Sequence, residues 1–133
     1  MRPLELSIAG FRSYDEPVTF DWTGRQLVGI VGPIGSGKSS ILDAIAFALY
    51  GKTPTFTGES ASLIRHGCDR ARIDLTFTID GARSGETWRV SRILRRRGAN
   101  AHALSRRDGD GAAIAQWDKE RDVTAQIQQR LGL

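Results

Sequence analysis

One short stretch of the chain carries residues whose types and spacing suit them to hold phosphate. The stretch GPIGSGKSS, residues 32–40, fits the pattern G-x-x-x-x-G-K-[ST] at Gly32, Gly37, Lys38 and Ser39. Glycine lets the backbone approach an anion without a Cβ, lysine reaches the outer phosphate oxygens, and a serine hydroxyl can coordinate Mg²⁺. The pattern therefore predicts a phosphate-binding loop, with Gly35 as a further point of close approach.

The sequence on either side of the loop distinguishes a real site from a chance match in a glycine-rich chain. Residues 26–31, QLVGIV, form a short apolar run that predicts a buried strand ending at Gly32. Residues 38–50 carry apolar side chains almost all the way round a helical wheel, which predicts a largely buried helix capped at Gly51. This order brings backbone N–H groups and the positive end of a helix dipole to one point, so we expect nucleotide binding.

Composition limits the class of protein. The chain has 133 residues, of which 40% are hydrophobic and 26% charged, as in one soluble domain or part of one. It has no leader pattern and no apolar run long enough to cross a bilayer, so we expect a cytoplasmic protein without membrane contact. Cys68 is the only cysteine, which excludes an internal disulfide, and we expect a plain thiol there. His66 has no partner at metal or catalytic spacing, so we expect a surface residue.

The positive charge is concentrated in one segment. Residues 83–107 contain eight arginines and one glutamate, a net charge of +7, whereas the rest of the chain is −3 and the total is +4. Closely spaced cations can contact a nucleic-acid backbone without reading its sequence. The alternative is a basic, solvated hairpin face, and the sequence alone leaves both open.

Alternating apolar residues predict a meander of strands followed by a helix. The predicted strands are 4–8, 17–22, 72–80, 87–94, 101–107 and 112–117. A loop is expected at 52–60, one helical turn at 61–67 ending at Gly67, and a C-terminal helix from residue 119 capped at Gly132. The apolar run ending at Asp80 could be mistaken for an Mg²⁺-supporting strand, but its alternation and the following Gly81 argue against that role.

Arg12 and Ser13 lie in the turn between the first two predicted strands. This placement brings a guanidinium and a hydroxyl near the end of the sheet. A solvated loop cation is the simpler interpretation of Arg12 from this stretch alone.

Four stretches together resemble the amino-terminal lobe of the SbcC-type family of DNA double-strand-break repair ATPases, which are ABC-class proteins related to structural-maintenance-of-chromosomes proteins. They are LELSIAGFRSYDE at 4–16, GPIGSGKSSILDAIAFALYG at 32–51, SLIRHG at 62–67 and VTAQIQQRLGL at 123–133. The resemblance implies an α/β P-loop NTPase half domain, with a mixed sheet whose antiparallel meander packs on the P-loop helix. Residues 1–133 would form the amino-terminal lobe of an ATPase head, without its carboxy-terminal lobe.

The resemblance also implies the roles of individual residues. Lys38 would be catalytic, Ser39 would bind Mg²⁺, and Leu63 and Ile64 would lie near the base. The residues implied to bind ATP are Arg12, Ser13, Gly32, Pro33, Ile34, Gly35, Ser36, Gly37, Lys38, Ser39, Ser40 and Ile64. Ile34 departs from the small polar residue common in relatives and Pro33 stiffens the loop, which puts fine affinity in doubt rather than binding.

In the intact protein, the resemblance implies ATP hydrolysis by two heads that close over two ATP molecules. Its expected partners are the chain's own carboxy-terminal lobe and coiled coil, a second copy, an SbcD-like nuclease and DNA. The Gln loop, the signature motif, the Mg²⁺-supporting aspartate and the water-activating glutamate are not found in this sequence. We therefore expect this chain to bind ATP without hydrolysing it. The alternatives are the nucleotide-binding subunit of an ABC transporter, a chromosome-structure or recombination ATPase of the same superfamily, and a non-hydrolysing DNA-binding module.

Overall fold

A computed structural model of the chain describes residues 1–25, 28–33, 37–53, 59–79 and 85–132. Within them lie six strands, two α-helices and one 3₁₀ turn. The strands are β1 (Arg2–Ala9), β2 (Val18–Asp21), β3 (Arg70–Thr78), β4 (Thr87–Arg95), β5 (Ala101–Arg107) and β6 (Ala113–Trp117). The helices are α1 (Lys38–Tyr50) and α2 (Glu120–Leu131), and the 3₁₀ turn is Ser60–Leu63.

The six strands form one sheet in the order β2-β1-β3-β4-β5-β6, and each neighbouring pair is antiparallel. The register aligns apolar residues across the sheet, because Leu6 pairs with Leu75, Leu75 with Val90, and Val90 with Leu104. All four of these side chains are at most 1% exposed. The predicted α/β class, with a strand meander packed on the P-loop helix, is confirmed.

Both helices lie on one face of this sheet. Helix α1 contacts β3 and β4, and α2 contacts β5 and α1. The ring of Phe47 on α1 lies 6.3 Å from that of Phe11, and Val123 and Ile127 of α2 are at most 1% exposed. In the part of the chain that the structure describes, no helix is long and apolar enough to span a bilayer.

The two helices end where the sequence predicts. Gly51 has φ 73° and its N–H donates to the carbonyl of Phe47 at 2.8 Å, while Gly132 has φ 74° and donates to Gln128. A left-handed residue at this position satisfies carbonyls that the helix itself leaves unpaired, and glycine adopts that conformation without strain. In the last turn of α2, the guanidinium of Arg130 makes a cation–π contact with Trp88, at 5.6 Å from the centre of the ring.

A buried arginine joins the C-terminal end of α1 to the sheet and to α2. Arg92 is 0% exposed, and its Nε donates to the carbonyl of Ala48 at 2.8 Å. Nη2 donates to Thr124 Oγ1 at 3.1 Å, and Nη1 lies 3.0 Å from Nδ1 of His102. Burial lowers the pKa of Arg92 to about 10, which still leaves it charged at neutral pH. The guanidinium therefore acts as a shared donor for two helices and one strand.

Two expectations from the sequence are wrong. Residues 28–31 are not in a strand, and Val28, Ile30 and Val31 are 40%, 37% and 92% exposed, because no described strand lies beside them to bury a parallel strand. The helical turn is Ser60–Leu63 and ends at Ile64, which forms an extended bridge with Phe11, rather than ending at Gly67.

One face of β4 carries Trp88, Val90, Arg92 and Leu94 into the core, and Ile93 lies on the opposite face. Strict alternation places Arg92 inward, although an arginine is rarely buried without a partner. The bonds to α1 and α2 provide the compensation that makes its burial possible.

Candidate functional site

Among the described residues, the start of α1 has no side-chain cap. Its N-cap is Gly37, at φ 97°, which supplies no side-chain cap, and the first turn contains no acidic residue. The first four N–H groups of a helix lack intrahelical partners, and the helix dipole favours an anion beside them. Ser39 is exposed in this first turn and Lys38 is partly exposed. The helix therefore begins with donors, a cation and a hydroxyl, as the sequence predicts.

Lys38 folds back on the described end of the loop. Its Nζ donates to the carbonyl of Gly32, which brings the two ends of the loop together. Pro33 is exposed beside Gly32. The predicted site residues Ile34, Gly35 and Ser36 lie outside the described residues.

Tyr14 packs directly against the N-cap of α1. Its hydroxyl lies 3.4 Å from the carbonyl of Gly37, at the long limit of a hydrogen bond. A Cβ built on Gly37 would come within 2.9 Å of Tyr14 Oη. Glycine is therefore required at residue 37 for two reasons, the positive φ and the contact with tyrosine. The loop pattern accounts for Gly37, but no sequence pattern indicated that Tyr14 lies against it.

The turn between β1 and β2, which contains Arg12 and Ser13, lies beside α1. An isolated bridge between Phe11 and Tyr14 closes the turn, and Arg12 has φ 48°. The N–H of Ser13 donates to Ser40 Oγ at 3.3 Å, and Ser40 Oγ donates to Ser13 Oγ at 3.0 Å. These bonds join two predicted parts of the site that are 27 residues apart in the chain.

A buried carboxylate that the sequence reasoning missed also belongs to this region. Asp43 Oδ2 lies 3.4 Å from Nε of Arg12, and the two side chains are 5% and 36% exposed. The signal was a single acidic residue within the apolar run of α1. Such a residue is rarely buried without a charged partner, and Arg12 is that partner.

Leu63 and Ile64 lie in the hydrophobic core, at 2% and 4% exposed. In this conformation neither side chain offers surface to a nucleotide base. Their position is explained by the bridge between Ile64 and Phe11 and by the bond from the Arg12 N–H to the Leu63 carbonyl. Their burial argues against the expected role near the base.

The chemistry of these donors fits a nucleotide polyphosphate with Mg²⁺. The uncapped helix start and Lys38 suit phosphate oxygens, and the exposed Ser39 suits a hard cation that keeps several waters. No cluster of three or more His, Cys, Asp or Glu that could hold a metal is found among the described residues.

The arginines of the basic segment do not form one surface. Arg92 is buried, Arg106 pairs with Glu86 at 3.5 Å, and Arg96 donates to three carbonyls of the 64–68 segment. The remaining described arginines are Arg89 and Arg107 on the face opposite the helices, and Arg95 and Arg97 at the tip of the β4–β5 hairpin. Arg83 lies outside the described residues. Charge counting alone thus overstates how many of these cations are available to a polyanion.

The hairpin tip forms a groove of about 470 Å³. Its lining residues are Asp69, Arg70, Arg95, Arg96 and Arg97. Arg70 and Arg95 occupy paired positions on β3 and β4, so their side chains leave the same face of the sheet. The groove therefore combines four cations with one carboxylate.

The family model described as AAA domain matches residues 5–131. The chain belongs to this AAA domain family. The match includes the loop at 32–40, the Arg12 turn and both helices. The start of α1 therefore lies within a domain that the family shares.

Curated relatives confirm the resemblance to SbcC-type proteins. The chain is 38% identical to the SbcC component of the SbcCD nuclease of Deinococcus radiodurans over 100% of this chain and 14% of that protein. It is 32% identical to the Bacillus subtilis protein of the same name, over 100% of this chain and 12% of that protein. It is 38% identical to "Probable DNA double-strand break repair Rad50 ATPase" of Aquifex aeolicus over 71% of this chain and 10% of that protein.

Solved structures support the fold. The SMC head domain from Thermotoga maritima has TM-score 0.64 and 29% identity, covering 95% of this chain and 42% of that one. A structure from work on ATP-driven dimerization of SMC ATPases has TM-score 0.63 at 23% identity, covering 100% of this chain and 81% of that one. This chain thus spans less than half of the SMC head and at most 14% of these curated relatives.

Proposed function

We propose that this chain is the ATP-binding amino-terminal lobe of an SbcC-like DNA double-strand-break repair ATPase. The observation that carries the proposal is the start of α1, where uncapped backbone N–H groups, Lys38 and exposed Ser39 occur together. Arg12 and Ser13 are held beside that helix by Ser40 and Asp43. The curated relatives add the class of protein, since they are named for the SbcCD nuclease and for Rad50 ATPase.

Each residue has a separate role in this proposal. The loop, which includes Gly32, Pro33, Ile34, Gly35 and Ser36, surrounds the phosphates with the backbone N–H groups of its residues other than Pro33, which has none. Lys38 exchanges its bond to the Gly32 carbonyl for a phosphate oxygen, and Ser39 provides a ligand to Mg²⁺. Mg²⁺ supplies charge neutralisation when it is bound with ATP.

An exposed apolar surface lies next to the loop. Val28, Ile30 and Val31 are between 37% and 92% exposed, and clustered exposed apolar residues mark interaction sites. We propose that the protein's own carboxy-terminal lobe covers this surface, and that a coiled coil connects the two lobes. Such a lobe would also supply the groups that activate water, so hydrolysis belongs to the complete head and this chain alone binds without turnover.

The partners of the complete protein follow from the same proposal. They are a second copy joined through ATP, a nuclease of the SbcD type, and DNA, in the cytoplasm and associated with the nucleoid. The transporter alternative has no observation in its favour, since the relatives named above are repair and chromosome proteins.

Thermal unfolding with nucleotide tests the proposal. We expect Mg-ATP to raise the Tm of the parent chain, because a ligand at a hundred times its Kd adds about 2.7 kcal/mol to stability. The Lys38→Ala variant should lose this shift. Lys52→Ala, which removes an exposed lysine just beyond the other end of α1, should keep it. An unchanged Tm of the parent at millimolar Mg-ATP would contradict the proposal.

The hairpin groove favours DNA contact as a second candidate function. Arg70 and Arg97 are exposed there, whereas Arg96 is committed to the carbonyls of Ile64, Arg65 and Cys68. Cations on one rim can neutralise phosphates without base contacts. Replacing Arg96 would disturb the fold and would not report on DNA.

The salt dependence of DNA affinity distinguishes phosphate contacts made in the groove from attraction by the net charge of the whole chain. We expect the variant Arg70→Ala with Arg97→Ala to bind short duplex DNA more weakly, and to lower the slope of log K against log salt by about 1.8, because each lost phosphate contact accounts for about 0.9. The charge-matched variant Lys119→Ala with Arg121→Ala, both exposed at the start of α2, should keep the parent slope. Equal slopes in all three proteins would exclude the groove.

A further inference from the structure

Asp43 is a buried acidic group on the helix that begins at the phosphate loop. Its side chain is 5% exposed, and it lies beneath the 36% exposed side chain of Arg12. Ser40 and Asp43 are three residues apart on α1 and therefore lie on the same face. Ser40 holds Ser13 and Asp43 holds Arg12, so one face of α1 fixes both residues of the turn.

The backbone of Arg12 is fixed independently of its side chain. Its N–H donates to the carbonyl of Leu63 at 3.0 Å, and its own carbonyl accepts from Arg65 Nη1 at 3.1 Å. Its φ of 48° is rare for a residue with a Cβ and persists only where the surroundings enforce it. This fixed backbone sets the direction in which the Arg12 side chain leaves the turn.

The ion pair engages one particular nitrogen of the guanidinium. The shortest distance in the pair, 3.4 Å, joins Asp43 Oδ2 to Nε, so the carboxylate lies on the Nε side of the guanidinium. Arginine binds a phosphate best through a fixed fork of such donors. A carboxylate behind Nε can thus orient the fork while remaining shielded from the anion by the guanidinium itself.

We propose that Asp43 is a positioning residue that holds Arg12 through Nε, so that the terminal nitrogens are presented to the phosphates of a nucleotide bound at the start of α1. This inference rests on the proposed function. It assigns Asp43 no contact with the nucleotide. The alternative is competition, in which Asp43 and phosphate would bind Arg12 in turn. In that case, removing the Asp43 carboxylate would strengthen ATP binding.

A double-mutant cycle on ATP affinity tests this coupling. Arg12→Ala is expected to weaken Mg-ATP binding about tenfold, as for one lost charge-assisted bond, and Asp43→Asn about three- to fivefold. The double variant should bind no more weakly than Arg12→Ala alone, because Asp43 acts only through Arg12. Asp122→Asn, which makes the same change at an exposed position of α2, should match the parent.

Three results of the cycle would overturn the inference. Asp43→Asn could bind ATP as the parent does, it could bind more tightly, or its loss could multiply with that of Arg12→Ala. If the parent binds Mg-ATP and Lys38→Ala does not, these results leave the proposed function intact. A parent that fails to bind Mg-ATP overturns both.

A spectroscopic measurement on the parent chain covers the case in which Asp43→Asn does not fold. The Nε–H of Arg12 should give a separate NMR signal that exchanges slowly with water and shifts when Mg-ATP is added. Arg12→Lys assigns this signal by removing it. A signal that exchanges as fast as that of exposed Arg121, or that does not respond to Mg-ATP, would contradict the proposed positioning.

Discussion

The backbone polar groups at the two ends of α1 differ in the partners that the rest of the molecule gives them. At its C-terminal end, Gly51 closes the helix, and Arg92 donates to the Ala48 carbonyl from a fully buried position. At its N-terminal end, Gly37 supplies no cap, the first turn has no acidic residue, and Ser39 is exposed. One end is satisfied from within the fold, whereas the other has no side-chain cap among the described residues.

This difference separates stability from ligand binding along one helix. An end whose polar groups are paired inside the protein contributes to folding, and its loss is measured without ligand. An end whose groups remain open contributes when an anion arrives. Substitutions at the C-terminal end should therefore lower stability and leave the effect of ATP unchanged, while substitutions at the N-terminal end should change the effect of ATP.

Arg92→Met should have the largest effect on stability. It removes the donor shared by Ala48, Thr124 and His102, and leaving such buried groups unpaired costs about 3 kcal/mol. Urea unfolding measures this cost, and Arg97→Met at the exposed hairpin tip is the control. The rise in Tm with Mg-ATP should survive in any folded Arg92→Met protein. Loss of that rise would show that ATP binding also depends on the C-terminal end of α1.

Gly37→Ala should affect both properties. An alanine at φ 97° costs about 1–2 kcal/mol of strain, and its Cβ would also meet Tyr14 at 2.9 Å. We expect Mg-ATP affinity, measured by calorimetry, to fall at least about tenfold as the loop shifts. Gly24→Ala introduces the same kind of strain in open space and should leave affinity unchanged. Equal Mg-ATP affinity of the parent and Gly37→Ala would contradict the claim that the N-terminal end of α1 determines ATP binding.

Gly51→Ala should cost about 1 kcal/mol, from left-handed strain alone. Its added Cβ would meet Arg92 and Thr124 at 3.6 Å, an ordinary contact distance. Gly132→Ala, at the corresponding position of α2, should cost about the same amount. Chemical denaturation measures both, and a change in Mg-ATP affinity on Gly51→Ala would argue against the comparison.

The smallest expected effect is on pH dependence. Burial, and then the charge of Arg92, lower the pKa of His102 below its usual 6.5, although Glu120 at 3.8 Å opposes this. The folded state therefore binds the proton less readily than the unfolded state, so stability falls as pH drops below about 6.5. We expect a small loss of stability between pH 7 and 5.5. Denaturation of His102→Gln at both pH values should show a smaller loss, and an equal loss would refute the assignment.

Much of this arrangement follows from the sequence, and the exceptions have physical causes. The loop, α1 and the Gly51 cap are local patterns of glycine, lysine and apolar spacing, and so is the alternation of β3 and β4. Asp43 and Arg92 could not be placed, because their burial depends on partners distant in the chain. Residues 28–31 have the apolar composition of a buried strand but are exposed, because composition does not show whether a partner segment lies beside them.

Binding of the ATP phosphates at the start of α1 is the point on which the proposed function depends. Backbone NMR of the ¹⁵N-labelled chain tests it without an intermediate step, through the amide signals of Lys38, Ser39 and Ser40 during titration with Mg-ATP. We expect these signals to move and saturate, those of Ala48 and Gly51 to stay in place, and Lys38→Ala to abolish the movement. Signals at Lys38 to Ser40 that remain still at millimolar Mg-ATP would show that the helix start does not hold the nucleotide.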